Sequence, residues 1–287
     1  MSLCADRVVI VTGAGRGIGR AHALAFARAG ALVVVNDVSA GPAQEVVEEI
    51  GDRAVANTDD VAEWNGAGRL VRTALDVFGR LDVLVNNAGF LRDRMLVGMS
   101  EQEWDDVVRV HLKGHFAPLR HAAAYWRSVS KAGGPVDARV INTSSGAGLL
   151  GSVGQGNYSA AKAGIAALTL VGAAELGRYG VTVNAIAPAA RTRMTERTFA
   201  ETMAAPEDGF DAMAPENVSP LVVWLGSTES ADVTGRMFEV DGGRIGVAQG
   251  WRHGPEVDKG DRWDPAELGP VVRDLLAGQV NEPVYGA

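Results

Sequence analysis

Short, unbroken apolar runs alternate with longer mixed stretches along the whole chain. The runs "RVVIVTG" (7–13), "ALVVVND" (31–37), "LDVLVNNAG" (81–89), "ARVINTSS" (138–145) and "VTVNAIAP" (181–188) are compact and rich in Val and Ile. Near-continuous apolarity over so few residues predicts strands of a parallel sheet covered on both faces. "MFEVDGG" (237–243) is a last strand candidate, and "DRAVAN" (52–57) a weaker one because its pattern is sparse. Helical patterns fill the gaps. "GIGRAHALAFARAG" (17–30) ends on Gly30, a stop signal. The stretch 100–128 opens with Ser100 and Glu103 at capping-box spacing. "YSAAKAGIAALTLVGAAELGRYG" (158–180) is dominated by small residues. The alternation predicts an α/β fold, a doubly wound parallel sheet flanked by helices, with right-handed crossovers.

Two segments leave this pattern. Residues 189–217 are polar and dotted with Met, and follow a strand end, where ligands bind in such sheets; they are expected to form a substrate lid. Residues 246–287, with Trp251, Trp263 and several prolines, are expected to form an extension laid over the domain 1–245 or over a neighbouring subunit.

Composition narrows the function classes. At 287 residues, 47% hydrophobic and 22% charged, the chain reads as a soluble globular protein. A net charge of −8 argues against binding nucleic acid or an anionic membrane through bulk electrostatics. A single cysteine, Cys4, excludes an internal disulfide and a thiolate cluster, and the five histidines lack metal-site spacing, so no metal is expected. No apolar run reads as long enough to cross a bilayer, so no membrane insertion is expected. Asp6 and Arg7 interrupt any leader core, and the final "VYGA" is not a peroxisomal address; a cytoplasmic location is expected.

"TGAGRGIG" (12–19) follows the first strand and opens the first helix. Gly13, Gly17 and Gly19 permit a tight turn and a close approach of backbone amides to phosphate, aided by the helix N-terminus. Glycine loops are common connectors, but the strand–loop–helix setting favours a dinucleotide site. Asp37 ends the second strand about 20 residues on, where an acid accepts hydrogen bonds from the adenosine ribose. Its charge would repel a 2′-phosphate, which selects NAD over NADP. Arg16 pulls the other way, since a guanidinium can pair with that phosphate. NAD is the expected cofactor, because Arg16 can swing into solvent while the clash at Asp37 has no such relief.

Tyr158 and Lys162 stand at i and i+4, on one face of the expected helix. A free phenol ionises near pH 10, and a neighbouring ammonium lowers that value. Tyr158 would then act as acid and base toward a substrate hydroxyl, with Ser145 holding the substrate oxygen. On spacing alone a plain alternative stands beside this one: a tyrosine near a helix start and a solvated lysine.

Taken together, "TGAGRGIG", "NNAG" (86–89), Ser145, Tyr158 and Lys162 resemble the short-chain dehydrogenase/reductase family over residues 6–243. The resemblance implies a Rossmann-type fold, a nicotinamide cofactor and Ser–Tyr–Lys chemistry on a small-molecule substrate. It implies cofactor contacts from Gly13, Arg16, Gly17, Ile18, Gly19 and Asp37, from Asp60 and Val61, from Asn87, Ala88 and Gly89, and from Tyr158 and Lys162. Pro188 and Thr192 would flank the carboxamide, although "PA" here replaces the family's usual Pro-Gly. Asn86 would stabilise the sheet beside the cofactor. Where the family commonly has an asparagine in the long helix, this chain has His111, a candidate relay member, although a helix histidine taken alone is more often structural. A homodimer or homotetramer is also implied.

The strings "NNAGFLRDRM", "VHLKGHF", "GQGNYSAAKAG" and "GRMFEVDGGRIG" look like the (3R)-hydroxyacyl-CoA dehydrogenase domain of the peroxisomal multifunctional enzyme type 2 group. That resemblance implies oxidation of a (3R)-3-hydroxyacyl-CoA by a chain without the group's other modules. Arg191, Arg193 and Arg197 either meet CoA phosphates or form a solvated face. A dehydrogenase of hydroxysteroids or other secondary alcohols is the alternative, and a non-catalytic NAD-binding regulator a remote one.

Overall fold

The computed structural model of the chain describes residues 2–192, 204–278 and 283–284. Its first half runs β1 (Val8–Thr12), α1 (Gly17–Arg28), β2 (Leu32–Asn36), α2 (Ala40–Ile50), β3 (Ala54–Asn57), α3 (Trp64–Phe78) and β4 (Val83–Asn86). Then come α4 (Glu101–Val108), a π turn (Arg109–Lys113), α5 (Gly114–Lys131), β5 (Ala138–Thr143), α6 (Gly146–Leu150) and α7 (Gly156–Leu176). The remainder is β6 (Val181–Ala189), α8 (Ser219–Leu225), β7 (Met237–Asp241), β8 (Arg244–Val247) and α9 (Leu268–Leu276).

The strands form one eight-stranded sheet in the order β3-β2-β1-β4-β5-β6-β7-β8. All neighbours from β3 to β7 are parallel, so the chain must cross over between strands and cover both faces with helices. That is why β1, β4 and β5 are buried at every position and carry no alternation. The order reverses between β1 and β4, and a ligand crevice opens at such a switch point. One core layer packs Val9, Phe26, Val33 and Val222; the other packs Ile10, Leu70, Leu84 and Trp126. Trp126 hides its ring and donates its Nε1–H to Leu81 O at 2.7 Å, so its one polar group is satisfied. Cys4 is fully buried, and burial pushes its thiol up to about 11 against the opposing charge of Arg7.

Three expectations are corrected, and one segment gains a helix. β8, antiparallel to β7, lies in what read as tail; its four exposed residues gave no apolar run to detect. The stretch expected as one helix over 100–128 is split by the π turn, although the capping box at Ser100 and Glu103 forms as expected. The extension contains α9, none of whose residues is buried. Finally, the helix Gly156–Tyr179 is long and apolar enough to cross a bilayer by length and composition, at mean hydropathy 1.3. Its Ala, Leu and Val content raises the hydropathy, yet it lies against β6 and α6 and carries a buried lysine, as a helix of the outer layer does.

Candidate active site

At the carboxyl end of β1 the chain turns sharply into α1. Gly13 and Gly17 have φ of 62° and 53°, a left-handed backbone that side chains rarely adopt. A Cβ on Gly19 would stand 2.2 Å from Gly13 O. The strained and crowded glycines therefore leave bare amides at the N-terminus of α1, a cradle suited to pyrophosphate. Ile18 lies half-buried in this first turn, and Arg16 is exposed at its N-cap.

Asp37 is fixed against this cradle. Its Oδ2 accepts from Gly15 N at 3.1 Å and its Oδ1 from Ser39 N at 2.8 Å. The loop after β4 is clamped to the same place, since Thr12 Oγ1 accepts from Asn87 N at 2.9 Å and Ala88 N at 3.1 Å. Asn87 Nδ2 donates back to Thr12 O at 3.0 Å. Asn86 bridges β4 to β5, donating to Asn142 Oδ1 at 3.0 Å. Val61 is buried, and Asp60 holds Ala62 N and the Arg109 guanidinium, both at 2.8 Å. Burial works against the Asp60 charge, but the Arg109 and Ala62 hydrogen bonds outweigh it and hold the carboxyl below its usual range. Thr192 sits beside Gly17, and Pro188 lies on β6 opposite Val240.

β5 ends beside this crevice. Ser145 caps α6, and its Oγ accepts from Ala147 N at 3.2 Å, which leaves the O–H free to donate. α7 starts at Gly156, so Tyr158 stands in its first turn and Lys162 in its second. The start is pinned by Asn157, fully buried, whose Nδ2 donates to Arg92 O at 3.2 Å and Glu103 O at 2.9 Å. Lys162 is 2% exposed; its Nζ donates to Thr143 O at 2.6 Å and lies 5.4 Å from the Tyr158 ring centroid. Burial pushes the Lys162 ammonium down to about 7. The solvated-lysine alternative therefore does not describe this residue.

His111 lies in the π turn, a helix irregularity common at functional sites. Its ring meets Tyr158 edge-on, with centroids 5.1 Å apart. Its Nε2 is 2.7 Å from Phe90 O and 3.0 Å from Phe90 N, so either tautomer finds a backbone partner. Burial, then the Lys162 charge, pushes it down to about 3, which keeps the ring neutral. A Cβ on Gly89 would come within 2.2 Å of His111 Cε1, so that glycine makes room for the ring.

The expected residues thus converge on the carboxyl edge of β1, β2, β4, β5 and β6, with α7 closing one side. Arg191 is ion-paired with Asp211 of its own segment. Arg193 and Arg197 lie outside the described residues. Thr12 and Asn157 were not singled out from sequence, though both adjoin motif residues; a buried side chain that serves backbone groups leaves no pattern to read.

A family model described as short chain dehydrogenase matches residues 7–202. A hydroxyacyl-CoA dehydrogenase of Mycobacterium tuberculosis, ChsB1, is 47% identical over 98% of this chain and 92% of its own length. The peroxisomal multifunctional enzyme type 2 of Mus musculus is 47% identical over 93% of this chain, which spans only 34% of that enzyme. The crystal structure of a short chain dehydrogenase from Mycobacterium avium has a TM-score of 0.90 and 64% identity, covering 99% of this chain and 100% of that one.

Proposed function

The chain belongs to the short-chain dehydrogenase family and is an oxidoreductase, and from that premise we propose that it interconverts (3R)-3-hydroxyacyl-CoA and 3-ketoacyl-CoA with NAD(H). The observation that carries the chemistry is the buried Lys162 ammonium, 5.4 Å from the Tyr158 ring centroid and bonded to Thr143 O, two residues before Ser145. The substrate class is supported by the hydroxyacyl-CoA dehydrogenase matched over nearly its whole length.

A bound nicotinamide supplies the hydride acceptor. Gly13, Gly17 and Gly19 would hold its pyrophosphate, Asp37 the adenosine ribose, and Asp60 with Val61 the adenine. Arg16, Ile18, Asn87, Ala88, Gly89, Pro188 and Thr192 would line the rest, and Lys162 would also take the nicotinamide ribose. Ser145 donates its O–H to the substrate oxygen and so holds the carbinol in place. Tyr158 removes the hydroxyl proton as the carbinol carbon is oxidised. The Lys162 charge favours the phenolate and makes this transfer possible near neutrality. His111 is the relay candidate, because its two available tautomers let Nδ1 either give or take a proton. NAD rather than NADP is supported by Asp37, whose carboxylate is held in place by two backbone amides while Arg16 is exposed.

The experiment is NADH oxidation with 3-ketoacyl-CoA of graded chain length and with keto-steroids. Turnover confined to the acyl-CoA members supports the reading, and turnover of the steroids alone overturns it. Binding of NADH with no turnover of any member points to a regulator.

Further parts of the proposal concern assembly. The outer face of α7 leaves Leu170 59% and Val171 52% exposed, which supports packing between subunits of a homodimer or homotetramer. The extension after residue 245, with Leu268, Val272 and Leu276 aligned and exposed on α9, would serve as an arm over a neighbouring subunit. A cytoplasmic setting is part of the same proposal.

A further inference from the structure

Residues on both sides of Ser145 make contact with one residue of α7. Thr143 O, at the end of β5, accepts from Lys162 Nζ at 2.6 Å. Ser144 Oγ donates in the opposite direction, to the main-chain carbonyl of Lys162, at 2.8 Å. Gly148, in α6, packs on the same stretch of backbone: a Cβ there would stand 2.6 Å from Lys162 C and 2.8 Å from Ala163 N. The turn that carries Ser145 is thus held to α7 before the serine and after it, each time at Lys162.

The chemistry above makes no use of Ser144. The residue is buried, and its amide donates to Ile186 O at 2.7 Å, continuing the pairing of β5 with β6. The carbonyl that its hydroxyl reaches lies inside a helix, where it also accepts from the amide four residues on. The hydroxyl takes up the second lone pair, so that carbonyl keeps a partner even without it. An alanine would fill the place with one polar atom less to bury. What the bond does fix is a separation. Ser145 has an extended backbone, φ −167° and ψ 156°, and caps α6, so the position of this turn decides where its hydroxyl lies. Tyr158 stands one turn before Lys162 on the same rigid helix. Two bonds of opposite direction to Lys162 resist sliding of the turn along α7, and Gly148 sets how closely α6 approaches.

We propose that Ser144 is a positioning residue for Ser145: its hydroxyl, bonded to the Lys162 carbonyl, locks the Ser145 turn to α7 and so keeps the Ser145 hydroxyl at one separation from the Tyr158 phenol. Ser144 acts on the substrate only through Ser145, and Gly148 serves the same lock by letting α6 lie on the Lys162 backbone. The inference rests on the reading of Ser145 and Tyr158 given above.

The test is a double-mutant cycle in the full chain, with NADH and whichever ketone of the panel turns over fastest. Ser144→Ala should lower kcat/KM about tenfold or more, because small misplacements of a group that holds the substrate are costly. NADH affinity, read by fluorescence, should stay within about twofold of the parent, since the glycine cradle is untouched. Ser145→Ala should lower kcat/KM by about 10²–10³. Adding Ser144→Ala to Ser145→Ala should then cost less than about twofold, since the place of an absent hydroxyl no longer matters. Parental kcat/KM in Ser144→Ala overturns the inference, and so does the same tenfold loss in the Ser145→Ala background. A loss of NADH affinity as large as that of kcat/KM overturns it too. If Ser144→Ala does not fold, Gly148→Ala, whose Cβ would push α6 off Lys162, takes its place in the cycle with the same outcomes. Parental turnover in Ser145→Ala refutes the reading of Ser145, and this inference falls with it. An impaired Ser145→Ala beside an unimpaired Ser144→Ala refutes the positioning role alone.

Discussion

The ammonium of Lys162 lies 5.4 Å from the centroid of the Tyr158 ring, one turn away on α7, and donates to Thr143 O at 2.6 Å. The cation beside the phenol is thus anchored to the sheet, in a place where burial brings its own titration down to about 7. The charge that would make Tyr158 a base is maintained against a desolvation penalty, and the protein carries that penalty in its stability.

Lys162→Met should therefore stabilise the cofactor-free chain while abolishing turnover. An unfolded lysine binds its proton up to about pH 10.4, the folded one only to about 7. Between these values the unfolded state holds the extra proton, so parental stability rises with pH and the penalty is complete below 7. The melting temperature of the variant should exceed the parent's most at pH 6, by about 2–4 °C per kcal/mol relieved, with the gap closing toward pH 10. Equal melting temperatures at pH 6 would refute the buried charge.

Acid should act through the histidines. His22 and His111 are pushed down to about 3 by burial, and His115 well below its ordinary value. Each ring gains a proton on unfolding between about pH 6.5 and its folded value, so stability is lost as the pH falls through that window, by about 1.4 kcal/mol per unit per ring. His22 is remote from the site, its Nδ1 2.9 Å from Ser219 Oγ. His22→Gln should remove one ring's share of the slope, read from urea unfolding at pH 7, 6 and 5.

Tyr158→Phe should lower kcat by about 10²–10⁴, the usual range for loss of an acid/base group. The fluorescence titration of NADH should remain within a few-fold of the parent. Retained turnover would remove Tyr158 from the role assigned to it.

Asp37→Ser should weaken NAD and relieve the repulsion of a 2′-phosphate, changing the NAD/NADP ratio of kcat/KM by about tenfold or more. The loss of the acceptor for Gly15 N argues for some rise in KM toward both cofactors. A parent enzyme that prefers NADP would sink the assignment before any variant is made.

Thr12→Val is nearly isosteric and leaves the amides of Asn87 and Ala88 without their shared acceptor. A loss of about 1–3 kcal/mol in unfolding free energy, with a raised KM for the cofactor, is expected. Unchanged stability and KM would mean that the clamp contributes nothing.

Much of this was legible in the residues. The Val/Ile runs announced parallel strands because both sheet faces are covered, and the glycine loop, Asp37, Ser145, Tyr158 and Lys162 all stand on one edge of the sheet. What escaped has physical reasons. β8 is an exposed edge strand whose pairing to β7 is by backbone, so its side chains carry no hydrophobic signature. The π turn adds one residue to a helix without altering its polar pattern enough to be seen. Thr12 and Asn157 act on groups distant in sequence, and only the fold brings those partners to them.

Cys4, the chain's only cysteine, has a fully buried sulfur whose thiol is held at about 11. At neutral pH it is neither ionised nor within reach of an electrophile, so maleimides and mild oxidants should pass the native protein by. Any cysteine introduced on the surface then becomes the single labelling address of the molecule. A dye or spin label placed by Val272→Cys on α9 would report the whereabouts of the extension with no background from the rest of the chain.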